Sequence, residues 1–302
     1  MTRYPLVQVD AFTSVAFTGN PAGVVPEADG LTDAQMQAIA REVNASETAF
    51  ILPPDAADHD VRVRYFTPTV EVPTCGHATV AAHFVRAVDN ELPASRVLAK
   101  IGVGILPVDI LRDGDADPRI VMTQSPPVIE PPLDSDTRAV VLDALHLAEA
   151  QIDPRCPIQC VSTGHGKVIV GVSTRAVLDG LVPDMAALDR LGRAGIGPGF
   201  FVFTLRDPDP DVLAHARMFA PAIGIPEDPV TGNGNGPLGA YLVHHGLTPA
   251  GTDGETCFRA RQGEAMGRPG TAHVWVRSEN GRPIEVRVGG DATIVFRGEI
   301  EV

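Results

Sequence analysis

The chain has 302 residues, of which 44% are apolar and 21% are charged, and this ordinary globular composition excludes extensive disorder. Its 24 basic residues stand against 38 acidic ones, for a net charge of −14, which opposes binding to nucleic acid or to an anionic membrane. We therefore expect neither partner. The same charge also repels an anionic ligand, so local groups would have to hold one.

The cysteines and the N-terminus bear on the cellular compartment. The four cysteines, at positions 75, 156, 160 and 257, form no CxxC pair and no disulfide-framework spacing. The N-terminus lacks the apolar core of a signal peptide, and no apolar run approaches the ~18 residues that span a bilayer. The sequence predicts a reduced, cytoplasmic protein.

Strand-like alternation dominates the chain, and helices are few. A first helix is predicted over 33–44, where Thr32 and Gln35 form a capping box. A second follows Ser135 and runs to about Ala150. The predicted strands cover residues 7–12, 48–52, 61–66, 97–101, 104–111, 118–123, 167–172, 199–205, 213–219, 272–277 and 284–300.

Two further predicted helices, over 77–88 and about 236–245, are apolar on nearly every side. A helix that is apolar all round is buried all round. Glycine-containing turns precede both helices, at 74–76 and 231–234, and Gly246 is the expected C-cap of the second. Each helix is expected to lie at the centre of a strongly curved sheet.

The proline-rich stretch 123–137 is the best linker candidate, because its four prolines favour an extended and semi-rigid connection. At about 100–200 residues per domain, the length fits two domains. We predict an N-terminal domain over 1–125 and a C-terminal domain over 126–287. The final strand, about 288–302, is expected to pack back on the N-terminal domain.

An internal repeat supports two similar domains. A shift of 153 residues places 64–68 on 217–221, and both segments read Arg-x-Phe-x-Pro. Residues 18–25 resemble 163–170 in the same order along the chain. A period near 150 indicates duplicated domains. Ligands favour domain interfaces, and two buried-helix N-termini in one cleft would offer N–H groups and positive dipole ends to a carboxylate.

Glu47 lies between the first helix and an apolar strand, and the 153-residue shift places Phe200 opposite it. It is either a surface carboxylate at a strand start or a catalytic group that breaks the symmetry of the repeat. A carboxylate in an apolar cleft has a raised pKa and can serve as both base and acid.

Three more side chains flank the buried helices. His77 is a capping or core histidine or a functional one, and Cys75 in the same turn can have a lowered pKa and act as nucleophile or base. The partner of Cys75 in the second copy is Thr231. Asp228, which precedes a proline, either begins a turn or positions a substrate amine or hydroxyl.

Metal and nucleotide signatures are absent from the sequence. The nine histidines form no HxxxH or HExxH motif and no Cys/His cluster, so no metal is expected. The glycines at 227–236 and 164–167 match neither the GxxxxGK[ST] nor the GxGxxG pattern. We therefore expect no cofactor.

Six blocks spread over the chain resemble the PhzF family of phenazine-biosynthesis-like isomerases, and especially its uncharacterised enterobacterial branch. The blocks are residues 9–13, 18–24, 46–50, 64–68, 75–79 and 227–232. That family is related to diaminopimelate epimerase and proline racemase. The resemblance implies an α+β, diaminopimelate epimerase-like fold: two similar domains, each a curved, mainly antiparallel sheet around a central buried helix, with the active site between them.

The resemblance also implies residue roles. In the founding member, which isomerises dihydro-3-hydroxyanthranilate, a glutamate moves a ring proton with help from a histidine and an aspartate, and these roles map onto Glu47, His77 and Asp228. A homodimer is plausible on the same ground. The implied substrate-binding residues are Asn20, Ser46, Cys75, Gly76, Thr231, Gly232 and Asn233.

Three functional hypotheses follow. The first is a cofactor-independent isomerase that acts on a small carboxylate, with Glu47 as the single base. The second is an amino-acid racemase or epimerase in which Cys75 works with Glu47 or His77; it is disfavoured because the epimerase relatives use two cysteines and Thr231 replaces the second. The third is a non-catalytic protein that binds a small carboxylate.

Overall fold

In the computed structural model, the chain divides into two compact units. Unit 1 comprises Met1–Thr123 and Gly289–Val302, and unit 2 comprises Gln124–Val288. The structure describes residues 2–114, 116–205, 209, 211–248, 251 and 253–302. Among these residues, no helix is long and apolar enough to cross a membrane. The cytoplasmic location and the homodimer stay predictions.

The strands and helices are as follows. The strands are β1 (Arg3–Ala11), β2 (Asn20–Val25), β3 (Thr48–Leu52), β4 (Val61–Phe66), β5 (Glu71–Val72), β6 (Ser95–Ile101), β7 (Gly104–Leu111), β8 (Arg119–Thr123), β9 (Val128–Pro132), β10 (Gln159–Ser162), β11 (Lys167–Gly171), β12 (Phe200–Thr204), β13 (Ala214–Ala220), β14 (Ile225–Asp228), β15 (Glu255–Gln262), β16 (Gly270–Glu279), β17 (Arg282–Gly290) and β18 (Ala292–Glu301). The helices are α1 (Asp33–Val43), α2 (Gly76–Asp89), α3 (Ser135–Ala144), α4 (Arg175–Asp179), α5 (Met185–Arg193) and α6 (Gly232–His244).

The two units repeat one pattern of strand pairing. In unit 1, β1–β2 is antiparallel, β2–β3 parallel, β3–β4 antiparallel, β4–β6 parallel and β6–β7 antiparallel. In unit 2, the corresponding pairs β10–β11, β11–β12, β12–β13, β13–β15 and β15–β16 have the same directions. A fourth antiparallel partner completes each set, with β18 on β1 and β9 on β10.

Each unit holds one helix that is buried on nearly all sides, as the apolar patterns predicted. In unit 1, α2 is buried from Gly76 to Val85 and packs against β1, β2, β3 and β8. In unit 2, α6 is buried from Gly234 to Leu242 and packs against β10, β11 and β16. The predicted site residues lie in and around the N-terminal turns of these two helices, which begin at Gly76 and Gly232.

The predicted cap of α1 is confirmed in detail. The Thr32 hydroxyl accepts a hydrogen bond from the Gln35 backbone N–H, and the Gln35 side chain accepts one from the Thr32 N–H at 2.9 Å. The helix ends at Asn44, whose φ of 53° is left-handed. Glu47 lies three residues beyond this end, so the cap and the stop together determine where the chain enters β3.

Some sequence expectations are wrong. The helix after Ser135 ends at Ala144 because His146 adopts a left-handed φ of 53°. The expected strand over 284–300 is interrupted at Asp291, which separates β17 from β18. The linker candidate over 123–137 contains the boundary between the units, after Thr123, and it also contains β9, which pairs with β10 within unit 2. The helices α4 and α5 were not expected.

The position opposite Glu47 in the repeat also needs correction. Thr48 pairs with Phe66 and Phe200 pairs with Phe219, so Phe200 corresponds to Thr48, and Gly199 corresponds to Glu47. The backbone agrees: the Glu47 carbonyl accepts from the Gly23 N–H at 3.1 Å, and the Gly199 carbonyl accepts from the Val168 N–H at 2.9 Å. The shift is 152 residues in this strand and 153 in the next, because the second copy has one more residue between the two strands.

Candidate active site

In unit 1, the site is organised around Glu47, which directly precedes β3. Its carbonyl bonds the backbone of Gly23 in the parallel neighbour β2, and a Cβ at Gly23 would come within 2.8 Å of the Thr48 hydroxyl. This close packing of β2 on β3 determines where the Glu47 side chain projects. That side chain is buried, at 10% exposure, and its Oε2 lies 3.2 Å from Nε2 of His77.

His77 lies in the first turn of α2, whose N-cap is Cys75. Its Nε2 lies 3.1 Å from the Ser46 hydroxyl oxygen, and its Nδ1 lies 3.5 Å from the Cys75 sulfur. The turn is held from behind by Thr79, whose hydroxyl donates to the Cys75 carbonyl at 2.6 Å and contacts the Tyr65 hydroxyl at 2.7 Å. The imidazole is therefore fixed between a carboxylate, a hydroxyl and a thiol.

The protonation states of these groups follow from burial and from their contacts. Burial alone would raise the pKa of Glu47, but the charge of His77 and hydrogen bonds from His77, Ser46 and Cys75 together lower it. The raised pKa expected from the sequence is therefore wrong. Burial opposes the charge on His77, yet the Glu47 carboxylate and the hydrogen-bonding contacts with Cys75 and Glu47 raise its pKa well above the usual value. At neutral pH the pair is a carboxylate and an imidazolium.

Cys75 behaves in the opposite way from the reactive cysteine that its helix position suggested. Burial, and then the negative charge of Glu47, raise the pKa of its thiol, while His77 lowers it less. A protonated thiol is a poor base and a poor nucleophile at neutral pH. Here Cys75 instead serves as a neutral hydrogen-bonding partner of the imidazole.

The same three side chains also form a possible metal-ligand set. One ligand atom each from Glu47, Cys75 and His77 lies within 4.8 Å of the other two. No metal was expected from the sequence, because the third side chain of this set, Glu47, is 28 positions from Cys75 in the chain. Carboxylate, thiolate and imidazole all suit Zn²⁺. In the structure, however, these atoms contact one another as partners in an acid–base pair.

In unit 2, the corresponding turn before α6 carries a carboxylate of its own. Asp228 ends β14 and is 9% exposed, and its Oδ2 accepts a hydrogen bond from the Thr231 hydroxyl. Thr231 is the N-cap of α6, as Cys75 is of α2. A hydroxyl whose proton is donated to a carboxylate, and whose own pKa is far above neutral, does not serve as a general base.

Two glutamines that the sequence analysis missed hold this turn. Gln262 is fully buried; its Nε2 donates to the Asp228 carbonyl at 2.7 Å and to the Thr231 hydroxyl at 3.1 Å, and its Oε1 accepts from the Thr231 N–H at 3.1 Å. Gln124 donates through Nε2 to the Gly232 carbonyl at 3.1 Å and to the Asn233 side-chain oxygen at 3.2 Å. Neither glutamine belongs to a motif, so no sequence signal identifies it.

The predicted site residues fall into two groups, one in each unit. Direct contacts join Ser46, Glu47, Cys75 and His77 in unit 1, where Gly76 opens α2. Asn20 is buried at the start of β2, opposite Ala11 of β1 in the strand register. In unit 2, the contacts described above join the remaining predicted residues, which are Asp228, Thr231, Gly232 and Asn233.

Comparison with known proteins agrees with this geometry. The family described as "Phenazine biosynthesis-like protein" (PhzC-PhzF) matches residues 9–298. The chain is 50% identical to an uncharacterized isomerase of Clostridium acetobutylicum, covering 99% of this chain and 98% of that one. It is 49% identical to the uncharacterized isomerase YddE of Escherichia coli, covering 96% of each. It is 32% identical to the trans-2,3-dihydro-3-hydroxyanthranilate isomerase of Pseudomonas aeruginosa, covering 99% of each.

Solved structures show the same fold. A PhzF-family protein of Bacillus anthracis matches with a TM-score of 0.89 at 30% identity, covering 100% of both chains. A probable proline racemase of Agrobacterium radiobacter matches with a TM-score of 0.66 at 14% identity, covering 99% of this chain and 93% of that one, and so shares the fold alone. The α+β, diaminopimelate epimerase-like fold implied by the sequence blocks is confirmed. The chain therefore belongs to the PhzF family and is an isomerase of that family.

Proposed function

We propose that this isomerase moves a carbon-bound proton on a small carboxylate substrate, with Glu47 as its single catalytic base. The observation that carries the proposal is the buried contact of 3.2 Å between Glu47 Oε2 and His77 Nε2. The contact keeps Glu47 ionised in a buried place, where a carboxylate without such a partner would take up a proton. An ionised carboxylate is the form that accepts a proton from carbon.

The proposed reaction is a balanced proton shift. The Glu47 carboxylate takes a proton from a carbon next to a π-system, and the electron pair of the broken C–H bond enters that system. The protonated Glu47 then returns the proton to a different carbon of the same molecule, so no oxidant or reductant is consumed. The His77 imidazolium stabilises the Glu47 carboxylate before the first transfer and after the second, and in this scheme Asp228 orients a substrate amine or hydroxyl.

The substrate class rests on the relatives and on the polar turn of unit 2. The Pseudomonas aeruginosa relative is named for trans-2,3-dihydro-3-hydroxyanthranilate, a cyclic amino carboxylate. That compound is the first substrate to test, followed by other cyclic or amino-substituted carboxylates. A non-catalytic binder is the weaker alternative, because the relatives that cover the whole chain are named isomerases.

A racemase that uses Cys75 is also weaker. Burial and the charge of Glu47 raise the pKa of the Cys75 thiol. The corresponding group in unit 2 is the Thr231 hydroxyl, which donates its proton to Asp228. A racemase that pairs Cys75 with Glu47 or His77 must use Cys75 as the base in one of its two directions, and a thiol with a raised pKa is a poor base at neutral pH.

The test is a panel of small carboxylates incubated in D₂O and read by mass spectrometry for deuterium in carbon-bound positions. We expect the wild-type protein to exchange at least one compound and Glu47→Gln to exchange none while still binding it. The matched control is Glu42→Gln, which changes an exposed glutamate in the same part of unit 1. Unchanged exchange in Glu47→Gln would refute the role of Glu47.

Chelation separates this proposal from metal chemistry. Because Glu47, Cys75 and His77 are assigned to proton transfer, dialysis against EDTA should leave turnover unchanged. A loss of turnover that Zn²⁺ restores would assign the three side chains to a metal site instead.

A further inference from the structure

Lys167, at the start of β11, is a buried amine that the reaction outlined above does not use. The chain has two lysines, and Lys167 is only 2% exposed. The other, Lys100, lies at the surface, where its Nζ forms an ion pair with Asp55 at 2.8 Å. Removing an ammonium from water is costly unless an anion or several hydrogen bonds replace the lost hydration.

The direct hydrogen-bonding contacts of Lys167 are with neutral groups. Its Nζ donates to the Gly166 carbonyl at 3.1 Å and lies 2.7 Å from Nδ1 of His165. Burial and the neighbouring ammonium lower the pKa of His165 to about 4, so His165 is a neutral acceptor at pH 7. The Asp228 carboxylate acts on the ammonium from beyond these direct contacts and favours its charge.

The repeat shows what this amine lies beside. Gly199 is the counterpart of Glu47, and a Cβ at Gly199 would lie 3.1 Å from Cδ of Lys167 and 2.4 Å from the end of Met218. The lysine side chain therefore passes over the backbone of Gly199, which is the position in unit 2 that corresponds to Glu47 in unit 1. Met218 pairs in register with Asp228, the carboxylate of the α6 turn.

We propose that Lys167 binds the carboxylate of the substrate, on the side of unit 2 that carries Asp228. The assignment rests on the proposed function, because it names the group that holds the small carboxylate assumed there. It also explains how a chain with a net charge of −14, which repels anions, can hold an anionic ligand. One buried cation next to the α6 turn can attract an anion that the rest of the chain repels.

The charge state of Lys167 is compatible with this role. Burial lowers its pKa to about 8, and the negative charge of Asp228 acts in the opposite direction. At pH 7 the amine is therefore still mostly protonated. Cys160 is the other acidic group that acts on Lys167, and burial raises the pKa of that thiol, so it stays neutral.

A pair of probes that differ in charge tests the proposal. Anthranilate and anthranilamide share a ring and an amine, but only anthranilate carries a carboxylate. By calorimetry, Lys167→Met should weaken anthranilate binding by about 10- to 100-fold, the value of a hydrogen bond to a charged group, and change anthranilamide binding less than twofold. Lys100→Met, which removes the exposed amine, should change neither.

Three outcomes would overturn the proposal: wild-type protein that does not bind anthranilate, unchanged anthranilate affinity in Lys167→Met, or equal weakening of both probes. Should Lys167→Met fail to fold, selective ¹⁵N labelling of lysine in the wild-type protein gives only two side-chain signals. Anthranilate should then shift the Lys167 signal and leave Lys100 unmoved, and a Lys167 signal that stays in place refutes the assignment. Because binding is measured without turnover, an active Glu47→Gln variant would refute the proposed function without affecting this result.

Discussion

The N-terminal turns of α2 and α6 occupy equivalent places in the two copies of the repeat, yet they carry different chemistry. The turn of α2 faces a carboxylate, an imidazolium and a thiol that contact one another directly. The turn of α6 is held by amide hydrogen bonds from Gln262 and Gln124, and its acidic group is engaged by the Thr231 hydroxyl. The duplicated backbone thus supplies two helix ends, and the side chains make one of them an acid–base pair and the other a polar frame.

A second comparison concerns the scaffold behind these turns. Arg64 of unit 1 and Arg217 of unit 2 are counterparts; each forks onto a glutamate, and each lies about 5 Å from the centre of a phenylalanine ring. The Arg217 side chain is 10% exposed and the Arg64 side chain is 28% exposed. Arg217 also donates to the Leu181 carbonyl at 2.8 Å. The arginine of the Arg-x-Phe-x-Pro motif is therefore more deeply buried in unit 2 than in unit 1, and we expect it to contribute more to stability there.

The largest expected effect comes from breaking this buried fork. Arg217→Met should lower the free energy of unfolding by about 3–5 kcal/mol, because it leaves the Glu227 carboxylate and a buried carbonyl without their donor. Arg64→Met should lower it by about 1 kcal/mol or less, since its partners Glu71 and Asp33 are more exposed and can be hydrated. Urea denaturation of the two variants measures the difference. Equal losses would show that burial does not distinguish the copies.

Gln262 should give the next largest effect. Gln262→Leu removes the amide that bonds the Asp228 carbonyl and the Thr231 backbone and side chain, and we expect a loss of about 2–4 kcal/mol in the free energy of unfolding. The repeat-equivalent residue in unit 1 is Ile101, so Ile101→Leu is the matched control and should change stability by less than about 1.5 kcal/mol. Thermal unfolding followed by calorimetry measures both variants. A Gln262→Leu protein as stable as the control would show that the turn does not depend on this amide.

How much of this was visible in the sequence depends on the range of the interaction. The cap of α1 and the all-round burial of α2 and α6 are local, so the pattern alone predicts them. The register of β3 against β4 depends on loop length, and one additional residue in the second copy was enough to place Phe200 instead of Gly199 opposite Glu47. A fixed shift along the chain cannot detect such an insertion.

The same distinction between local and long-range interactions applies to the candidate site. The motif blocks identify Glu47, His77 and Asp228, but the contacts that set their charge come from residues far away in the chain. The lowered pKa of Glu47 was not foreseen, because burial alone predicts the opposite direction and the compensating His77 contact exists only after folding. Gln262 and Lys167 carry no motif, and only the buried contacts of the folded chain single them out.

Cys75→Ser tests whether the thiol in the α2 turn is a neutral partner of His77 or a base, and we expect a smaller effect from this change. If Cys75 is a neutral partner of His77, the serine hydroxyl can replace its hydrogen bond, and turnover of the isomerase substrate should fall by no more than about fivefold, the value of one hydrogen bond of roughly 1 kcal/mol. A thiolate base would instead make the variant inactive, and stereoinversion at an α-carbon in D₂O would be lost with it. The measurement is the rate of deuterium entry, with Cys257→Ser at an exposed cysteine as the control.

The smallest effect is expected from Ser46→Ala, read on the acid side of the pH–rate profile. The pKa of Glu47 is lowered in the folded protein, so the base should stay ionised to a pH below the ordinary glutamate value, and turnover should decline only there. The Ser46 side chain is one of the neighbours that lower this pKa, so its removal should raise the pKa and move the acid limb to higher pH. Turnover at pH 7 should fall by less than about fivefold. Circular dichroism at each pH separates this shift from acid unfolding, and a limb that moves to lower pH would contradict the assignment of Glu47 as the base.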